Sequence, residues 1–239
     1  MTTYKDGITV ITPTGDRPTA LLRCHYYLER QTIKPNQWLI ADDGANKSAN
    51  KLLTSLPLEI LEHKYPNNKA LSFTGNLLAL ISKIEFSKII IFEDDDWYHP
   101  QYIEHTLQRL KDVIICGSSH AIYYNVKFRK YRINQNSNRA SFCETAFKAD
   151  LIPKLKKACY PRGSAFVDAR LWKHVRENKL KHLLSNDKRI CVGIKGLPGR
   201  KGIGIGHRPG GSYRTDPSWN MLKHLIGNED AQYYMDLND

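Results

Sequence analysis

Short apolar runs alternate with helical patterns through the first 110 residues of this 239-residue chain, and this alternation most restricts its fold. Runs rich in β-branched and aromatic residues predict strands at 7–12, 37–42, 58–63 and 88–92. Amphipathic patterns between them predict helices at 18–31, 47–55 and 70–84. Strands that alternate with helices over short connections form mostly parallel sheets. We therefore expect an α/β fold with a mixed, mostly parallel sheet flanked by helices.

The pattern is less regular after residue 110. Further helices are predicted at 101–110, 150–157, 164–177 and 219–226, and a strand at 113–116. Alternating segments at 121–128 and 140–147, separated by a polar turn at 134–138, predict the edge of a mixed sheet. The basic, glycine-rich segment 193–211 predicts a mobile loop around a short strand. Since no linker divides the chain, we expect one domain over 1–239.

Composition restricts the environment of the chain. No apolar run reaches the roughly 20 residues of a membrane span, and the first residues lack the basic-then-apolar order of a signal peptide. We therefore expect a cytoplasmic protein with no membrane span. Five scattered cysteines, with no Cys-x-x-Cys pair, predict reduced and mostly buried thiols and disfavour a disulfide framework or structural zinc.

Positive charge is concentrated in the second half. The formal net charge is +12, yet residues 1–100 hold 11 Lys and Arg against 12 Asp and Glu, and residues 101–239 hold 25 against 12. A basic surface of this size indicates an anionic partner, which is a nucleic acid, an anionic membrane or a phosphorylated substrate. A basic protein with no such partner is the alternative.

Four consecutive acids, 93–96, directly follow the apolar run 89–92. They leave the carboxyl end of a predicted strand, where open α/β sheets bind ligands. Because adjacent carboxylates repel one another, a hard divalent cation such as Mg²⁺ or Mn²⁺ would stabilise them. The alternative is an acidic turn that caps the helix beginning near Pro100.

Two other predicted strands end in polar turns. Thr12-Pro13-Thr14-Gly15-Asp16-Arg17 follows the first strand, and Asp42-Asp43-Gly44 follows the second. An acid after the second strand is placed to accept hydrogen bonds from a ribose or a base, while a metal at 93–96 would hold a diphosphate. Asp-Gly is also a common turn sequence, so a purely structural role remains open for Asp42 and Asp43.

Segments 8–18, 39–44 and 92–100, in this order, resemble the nucleotide-sugar glycosyltransferases of the GT-A fold, specifically family 2. The likeness covers the first 110 residues well and the remainder thinly. Aligned on Pro100, Glu93 takes the first position of the family's Asp-x-Asp metal motif and Asp95 the second, so Glu93 departs from the pattern. The resemblance implies that 1–110 bind the nucleotide sugar and that 111–239, with the loop 193–211, bind the acceptor.

The resemblance also implies site residues. The nucleotide-sugar ligands would be Thr12, Pro13, Thr14, Arg17, Asp42, Asp43, Lys69, Asn76 and Asp94. Mn²⁺ or Mg²⁺ would bind Asp95, Glu93 and His207, although His207 could equally be a surface loop histidine. Asp168 would be the catalytic base of an inverting enzyme, against the alternative of a helix-face pair with Arg170 or Lys173. Arg200, Lys201 and Arg208 would bind the acceptor or the phosphates.

The resemblance leaves the acceptor open. Basic residues interleaved with aromatic ones suit nucleic acid, so we expect a hexosyl- or pentosyltransferase acting on a hydroxymethylated base of double-stranded DNA. Enzymes of that type belong to bacteriophages, which would place the protein in the host cytoplasm. One alternative is a transferase for cell-surface polysaccharide or a lipid-linked glycan. Another is a non-catalytic nucleic-acid-binding module on the GT-A fold.

Overall fold

A computed structural model describes residues 3–47, 49, 58–160, 166–187 and 190–238. In these residues the strands are β1 Lys5–Thr14, β2 Gln37–Asp42, β3 Leu58–Glu62, β4 Phe86–Ile91, β5 Trp97–Tyr98, β6 Ile115–Ser118, β7 His120–Asn125, β8 Lys130–Gln135, β9 Thr145–Lys148, β10 His182–Ser185, β11 Cys191–Lys195 and β12 Arg214–Thr215. The helices are α1 Pro18–Glu29, α2 Lys69–Ile81, α3 Tyr102–Leu110, α4 Ile152–Ala158, α5 Val167–Glu177, α6 Asn220–Ile226 and α7 Asn228–Asp236.

Within the described part of the chain, the larger sheet has seven strands in the order β10-β6-β9-β4-β1-β2-β3. Strand β1 pairs in parallel with β2 and β4, and β2 with β3, whereas β9 runs antiparallel between β4 and β6. The predicted mixed, mostly parallel α/β fold is therefore confirmed. Because the chain leaves β1 toward β2 on one side and reaches β4 on the other, a crevice opens at the carboxyl ends of β1 and β4.

Alternate residues of the central strands pack on opposite faces of this sheet. Val10 and Ile40 lie in one apolar cluster with Leu21 and Leu28 of α1. The neighbouring positions Ile11 and Leu39 lie in a second cluster with Leu77 and Leu80 of α2. Strands buried on both faces read as continuous apolar runs, which is why the sequence predicts them well.

A second sheet, in the order β12-β8-β7-β11-β5, was not predicted. Its strand β11 pairs in parallel with β7 and antiparallel with the two-residue strand β5. Strand β5 begins at Trp97, immediately after the four acids. The second sheet therefore attaches the acidic segment to the basic half of the chain.

Several local predictions were wrong. The predicted strand 140–147 is a 3₁₀ turn at Phe142–Glu144 followed by β9, which lies inside the larger sheet and not at an edge. The predicted turn 134–138 overlaps β8, which continues to Gln135, and 121–128 keeps its strand only to Asn125. Short-range alternation cannot say which sheet a segment joins, because pairing partners are distant in sequence. The predicted helix at 47–55 falls mostly outside the described residues, as does the start of the one at 164–177.

One buried carboxylate of helix α7, that of Asp230, binds two arginines of the α1 segment. Asp230 accepts hydrogen bonds from Arg23 at 2.6 Å, from Arg30 and from the indole of Trp97. The two guanidinium groups also lie over the ring of Tyr26. This network holds Trp97, and with it the end of the acidic segment, against α1 and α7.

All five cysteines are buried free thiols, as predicted. Among the described residues, no helix is long and apolar enough to span a bilayer.

Candidate active site

The carboxyl ends of β1 and β4 open into a cleft of about 210 Å³. The acidic segment and several basic residues line it together. Among the lining residues are Pro13, Arg17, Glu93, Asp94, Asp95, Tyr123, Asn134, Asn136, Arg139, Phe166, Asp168, Lys195 and His207. Residues from both halves of the chain therefore face one cleft.

A buried lysine lies between two of the acids. Lys195 Nζ is 2.7 Å from Asp95 Oδ1 and 2.6 Å from Asp96 Oδ1, and all three side chains are almost fully buried. Lys195 is the last residue of β11, so the pairing of β11 with β7 and β5 positions this ammonium group. The sequence reasoning missed Lys195. A lysine that closes an apolar strand was the available signal, since a buried lysine requires a partner.

A second cation holds the other side of the acidic segment. Arg17, which precedes α1, places Nη2 2.9 Å from Asp94 Oδ1 and Nη1 3.4 Å from Asp95 Oδ2. Thr14, at the end of β1, donates a hydrogen bond of 2.6 Å to Asp94 Oδ2. Asp94 is therefore fixed by the first strand and the residue before the first helix.

Burial dominates the electrostatics of these acids. It raises the pKa of Asp94 to about 6 although Arg17 opposes the shift, and raises the pKa of Asp96 to about 7 against the charge of Lys195. Asp95 is buried as well, but Lys195 and Arg17 together outweigh its desolvation and lower its pKa. Four carboxylates face two permanent cations. An additional positive charge would therefore favour the ionised forms.

The residues present fit a divalent cation. Carboxylate oxygens of Glu93, Asp95 and Asp96 lie within 4.8 Å of one another. Asp96 Oδ2 is buried and has no hydrogen-bond partner among the described residues. Hard oxygen donors grouped in this way suit Mg²⁺ or Mn²⁺.

His207 reaches the same place from the glycine-rich segment. Its Nε2 lies 3.4 Å from Asp95 Oδ2, on a 3₁₀ turn at Ile205–His207. The amide of Asn125 donates to the carbonyl of Gly206 and so attaches this turn to β7. Burial lowers the pKa of His207 to about 4, with Lys195 contributing, although Asp95 opposes the shift. The tertiary structure thus brings the predicted third metal ligand to the acidic segment.

The two acids at the end of β2, Asp42 and Asp43, differ in their contacts. Both oxygens of Asp42 accept backbone hydrogen bonds, from Gly44 at 2.8 Å and Ala49 at 3.1 Å. Asp43 instead pairs through Oδ1 with Arg200, and its buried Oδ2 has no hydrogen-bond partner among the described residues. Asp42 therefore holds the turn, and Asp43 is the acid with capacity for a ligand.

Four cations line a smaller cavity beside the cleft. Lys69, Arg17, Arg200 and Lys201 line it together with Asn76. Burial lowers the pKa of Lys69, and the nearby positive charges of Arg208, Lys201, Arg200 and Arg17 lower it further. Cations that crowd one another in this way are stabilised by an anion, and a diphosphate supplies one.

Asp168 lies in the first turn of α5 and faces the cleft. Its Oδ2 is 3.5 Å from Arg139 Nε. Burial raises the pKa of Asp168, while the backbone N–H of Ala169 and the charge of Arg139 oppose the shift. Of the alternative partners, Lys173 pairs with Glu177, while Arg170 donates to the carbonyl of Ala158 and its charge also opposes the rise in the pKa of Asp168.

The mouth of the cleft beside Asp168 carries an exposed aromatic ring. Phe166 is 59% exposed and adopts the left-handed conformation, with φ of 64°. Such a conformation is unfavourable for a bulky residue and is concentrated at functional sites. Tyr123, Asn134, Asn136 and Arg139 line the same cleft. Sequence reasoning placed none of these residues in the site.

Four predicted site residues are either buried beneath the cleft, exposed at its rim or engaged in supporting the end of β1. Thr12 is fully buried below the cleft, and its hydroxyl accepts a hydrogen bond from the indole of Trp38 at 2.9 Å. Lys201 and Arg208 are exposed at the rim. Asn76 donates to the carbonyl of Thr14 at 3.0 Å and also bonds to His63, so it supports the end of β1.

Comparison with known proteins agrees with this geometry. No curated protein matches the chain in sequence. The profile of the family described as Glycosyl transferase family 2 matches residues 9–175, which is more than half of the chain. That range contains the carboxyl-terminal part of β1, Asp43, the four acids and Asp168. The chain therefore belongs to glycosyl transferase family 2.

Proposed function

We propose that this protein is a metal-dependent, inverting hexosyl- or pentosyltransferase, which moves a sugar from a nucleoside diphosphate sugar to an acceptor hydroxyl. The observation that carries the proposal is a single cleft lined by Glu93, Asp95 and Asp168, with Asp96 grouped beside the first two acids. One side supplies acidic ligands for a cation, and the other a carboxylate with a raised pKa.

The donor lies across the carboxyl ends of β1, β2 and β4. Asp43 accepts hydrogen bonds from the nucleoside, and Pro13 and Thr14 form the floor under it. Lys69, Arg200, Lys201 and Arg208 neutralise the diphosphate. Arg17 holds Asp94 and Asp95 in place for this purpose.

Asp95 and Glu93, with Asp96 and His207 beside them, would hold Mn²⁺ or Mg²⁺. Such an ion would supply positive charge against the negative charge that develops on the diphosphate leaving group. Lys195 fixes the orientation of Asp95 and Asp96 from below, so that the acids do not need to reorganise during the reaction.

Asp168 accepts the proton of the acceptor hydroxyl as its oxygen attacks the anomeric carbon. The bond between that carbon and the diphosphate oxygen breaks, and the nucleoside diphosphate leaves with its electron pair. A raised pKa suits this role, because a base with a pKa closer to neutrality receives the proton more readily.

The acceptor that we propose is a hydroxymethylated base in double-stranded DNA. The basic second half and the exposed ring of Phe166 at the mouth of the cleft support it. A base in a duplex must leave the stack to reach the cleft, and an aromatic ring can stack on it there. The competing acceptor is a cell-surface polysaccharide or lipid-linked glycan, whose sugar face would stack on the same ring.

The test incubates the protein and Mn²⁺ with a panel of nucleotide sugars. Separate reactions contain duplex DNA with 5-hydroxymethylpyrimidines, unmodified duplex DNA, or oligosaccharide acceptors, and nucleoside diphosphate release and acceptor mass are followed. We expect a mass gain of one hexose or pentose on hydroxymethylated DNA only. Transfer to an oligosaccharide alone would overturn the DNA acceptor, and absence of turnover with every donor and acceptor would leave a non-catalytic binding module.

A further inference from the structure

The guanidinium group of Arg200 occupies the space between Asp43 and the ring of Tyr65. Arg200 pairs with Asp43 Oδ1, and its guanidinium carbon lies 4.0 Å from the centroid of the Tyr65 ring. A second carboxylate, Asp16 Oδ2, is 4.0 Å from Arg200 Nη1. A flat, hydrogen-bond-donating group therefore stacks on an aromatic ring and donates to a buried carboxylate.

The space that the guanidinium occupies exists because residue 15 is a glycine. A Cβ at position 15 would overlap both the guanidinium of Arg200 and Asp43 Oδ1. The missing side chain leaves a slot between Tyr65 and Asp43. Asp43 Oδ2, buried and without a hydrogen-bond partner among the described residues, adds unused acceptor capacity to the slot.

We infer that Arg200 fills this slot, which the proposed donor site offers to the nucleobase, until the nucleotide binds, and that Tyr65 then stacks on the base. A nucleobase and a guanidinium group share the properties that the slot recognises, since both are planar and both donate N–H groups to a carboxylate. The inference rests on the proposed function, because it concerns the donor of that reaction.

Only the side chain of Arg200 has to move. The backbone N–H of Arg200 donates to the carbonyl of Asp16 at 3.0 Å. The preceding Gly199 has φ of 104°, and a Cβ there would meet the same carbonyl and Arg17 Cα. The loop is therefore attached to the residues before α1, and rotation of one side chain is the smaller change.

The side chain of Arg200 can move from the slot toward the neighbouring phosphate site. It lines the cation-rich cavity with Lys69 and Lys201, where the diphosphate is proposed to lie. Arg200 thus opposes binding of the base and favours binding of the phosphates. A nucleoside without phosphates therefore only competes with Arg200 for the slot. A nucleoside diphosphate competes with Arg200 in the same way, but its phosphates also bind the displaced guanidinium.

This difference provides the test. Dissociation constants of nucleosides and of their diphosphates are measured by ligand-observed NMR and calorimetry for the wild-type protein and for Arg200→Ala. Competition from Arg200 raises the apparent dissociation constant to the intrinsic value divided by the fraction of molecules in which the slot is empty. We expect Arg200→Ala to tighten nucleoside binding about threefold to tenfold, while the diphosphate gains less or loses affinity.

Matched variants separate this effect from damage to the fold. Arg214→Ala removes an exposed cation from the same half of the chain and should change neither constant. Tyr65→Leu should weaken nucleoside binding about tenfold, and Tyr65→Phe should restore it, because stacking needs only the ring. Melting temperatures confirm that each variant is folded.

The outcomes are distinguishable. If the wild-type protein binds nucleoside diphosphates but Arg200→Ala leaves nucleoside affinity unchanged, the inference fails and the proposed function stands. The same conclusion follows if Tyr65→Leu binds as well as Tyr65→Phe. If the wild-type protein binds no nucleoside diphosphate, the proposed function itself fails.

Discussion

Lys195 Nζ lies 2.7 Å from Asp95 and 2.6 Å from Asp96, and so the basic half of the chain supplies the counter-charge inside the acidic site. Two elements about 100 residues apart are joined by one ammonium group. The lysine compensates part of the negative charge that would otherwise oppose folding, while carboxylate oxygens remain for a cation.

Lys195→Met should destabilise the fold by about 3–5 kcal/mol, because removal of one partner leaves Asp95 and Asp96 buried without their cation. Mn²⁺ should raise the melting temperature of this variant more than that of the wild-type protein, since a bound cation replaces the lost charge. Thermal and urea unfolding with and without Mn²⁺ measure both effects. Equal stabilisation of the two proteins by Mn²⁺ would contradict the assignment of the metal to these acids.

Asp95→Asn should weaken Mn²⁺ binding more than about 100-fold and reduce transfer by a similar factor. Asp187→Asn is the control, because Asp187 is half-exposed and pairs with Arg109 away from the cleft. Calorimetry gives the metal affinity independently of turnover. A variant of Asp95 that binds Mn²⁺ like the wild-type protein would remove this residue from the metal site.

Asp168→Asn should lower kcat by about 100-fold to 10,000-fold while donor KM changes little, because the amide cannot accept the acceptor's proton. Mn²⁺ affinity should be retained. Steady-state kinetics with varied donor separate the two constants. A variant that lost donor or metal binding with kcat intact would argue for a structural role.

The pH dependence of transfer follows from the environment of Asp168. A base works only when it is deprotonated, so a raised pKa moves the fall in activity on the acid side above the usual range of an aspartate. Arg139 stabilises the charged form, and Arg139→Ala should raise the pKa of Asp168 further and move that fall to higher pH. Profiles of kcat against pH measure the shift, and a downward shift would contradict the assignment.

Asp230→Asn should destabilise the fold by about 3 kcal/mol, because Arg23 and Arg30 lose their buried counter-ion. Glu229→Gln is the matched control, since Glu229 is exposed one residue away. Urea unfolding measures the difference. If the two variants unfold alike, the carboxylate of Asp230 does not hold α7 to α1.

The sequence predicted the part of the fold that local patterns specify. Strand β2 has the predicted bounds, and β1 and β4 differ from theirs by a few residues, because buried parallel strands are continuous apolar runs. The sequence did not predict the second sheet, because β5 and β12 have two residues each and β8 carries polar residues that resemble a turn. Pairing partners, and not local propensity, make these segments strands.

By itself, the sequence determined that acids would stand at the carboxyl end of β4, beside the turns after β1 and β2, because the order of strands and helices fixes that edge. Only the tertiary structure decided which charges meet there. It placed Lys195 under Asp95 and Asp96, His207 beside Asp95, Arg200 between Asp43 and Tyr65, and Asp168 across the cleft. The contacts of Lys195 and Arg200 join residues 99 to 157 positions apart, and they depend on how the basic half of the chain packs against the first sheet. No local pattern carries that information.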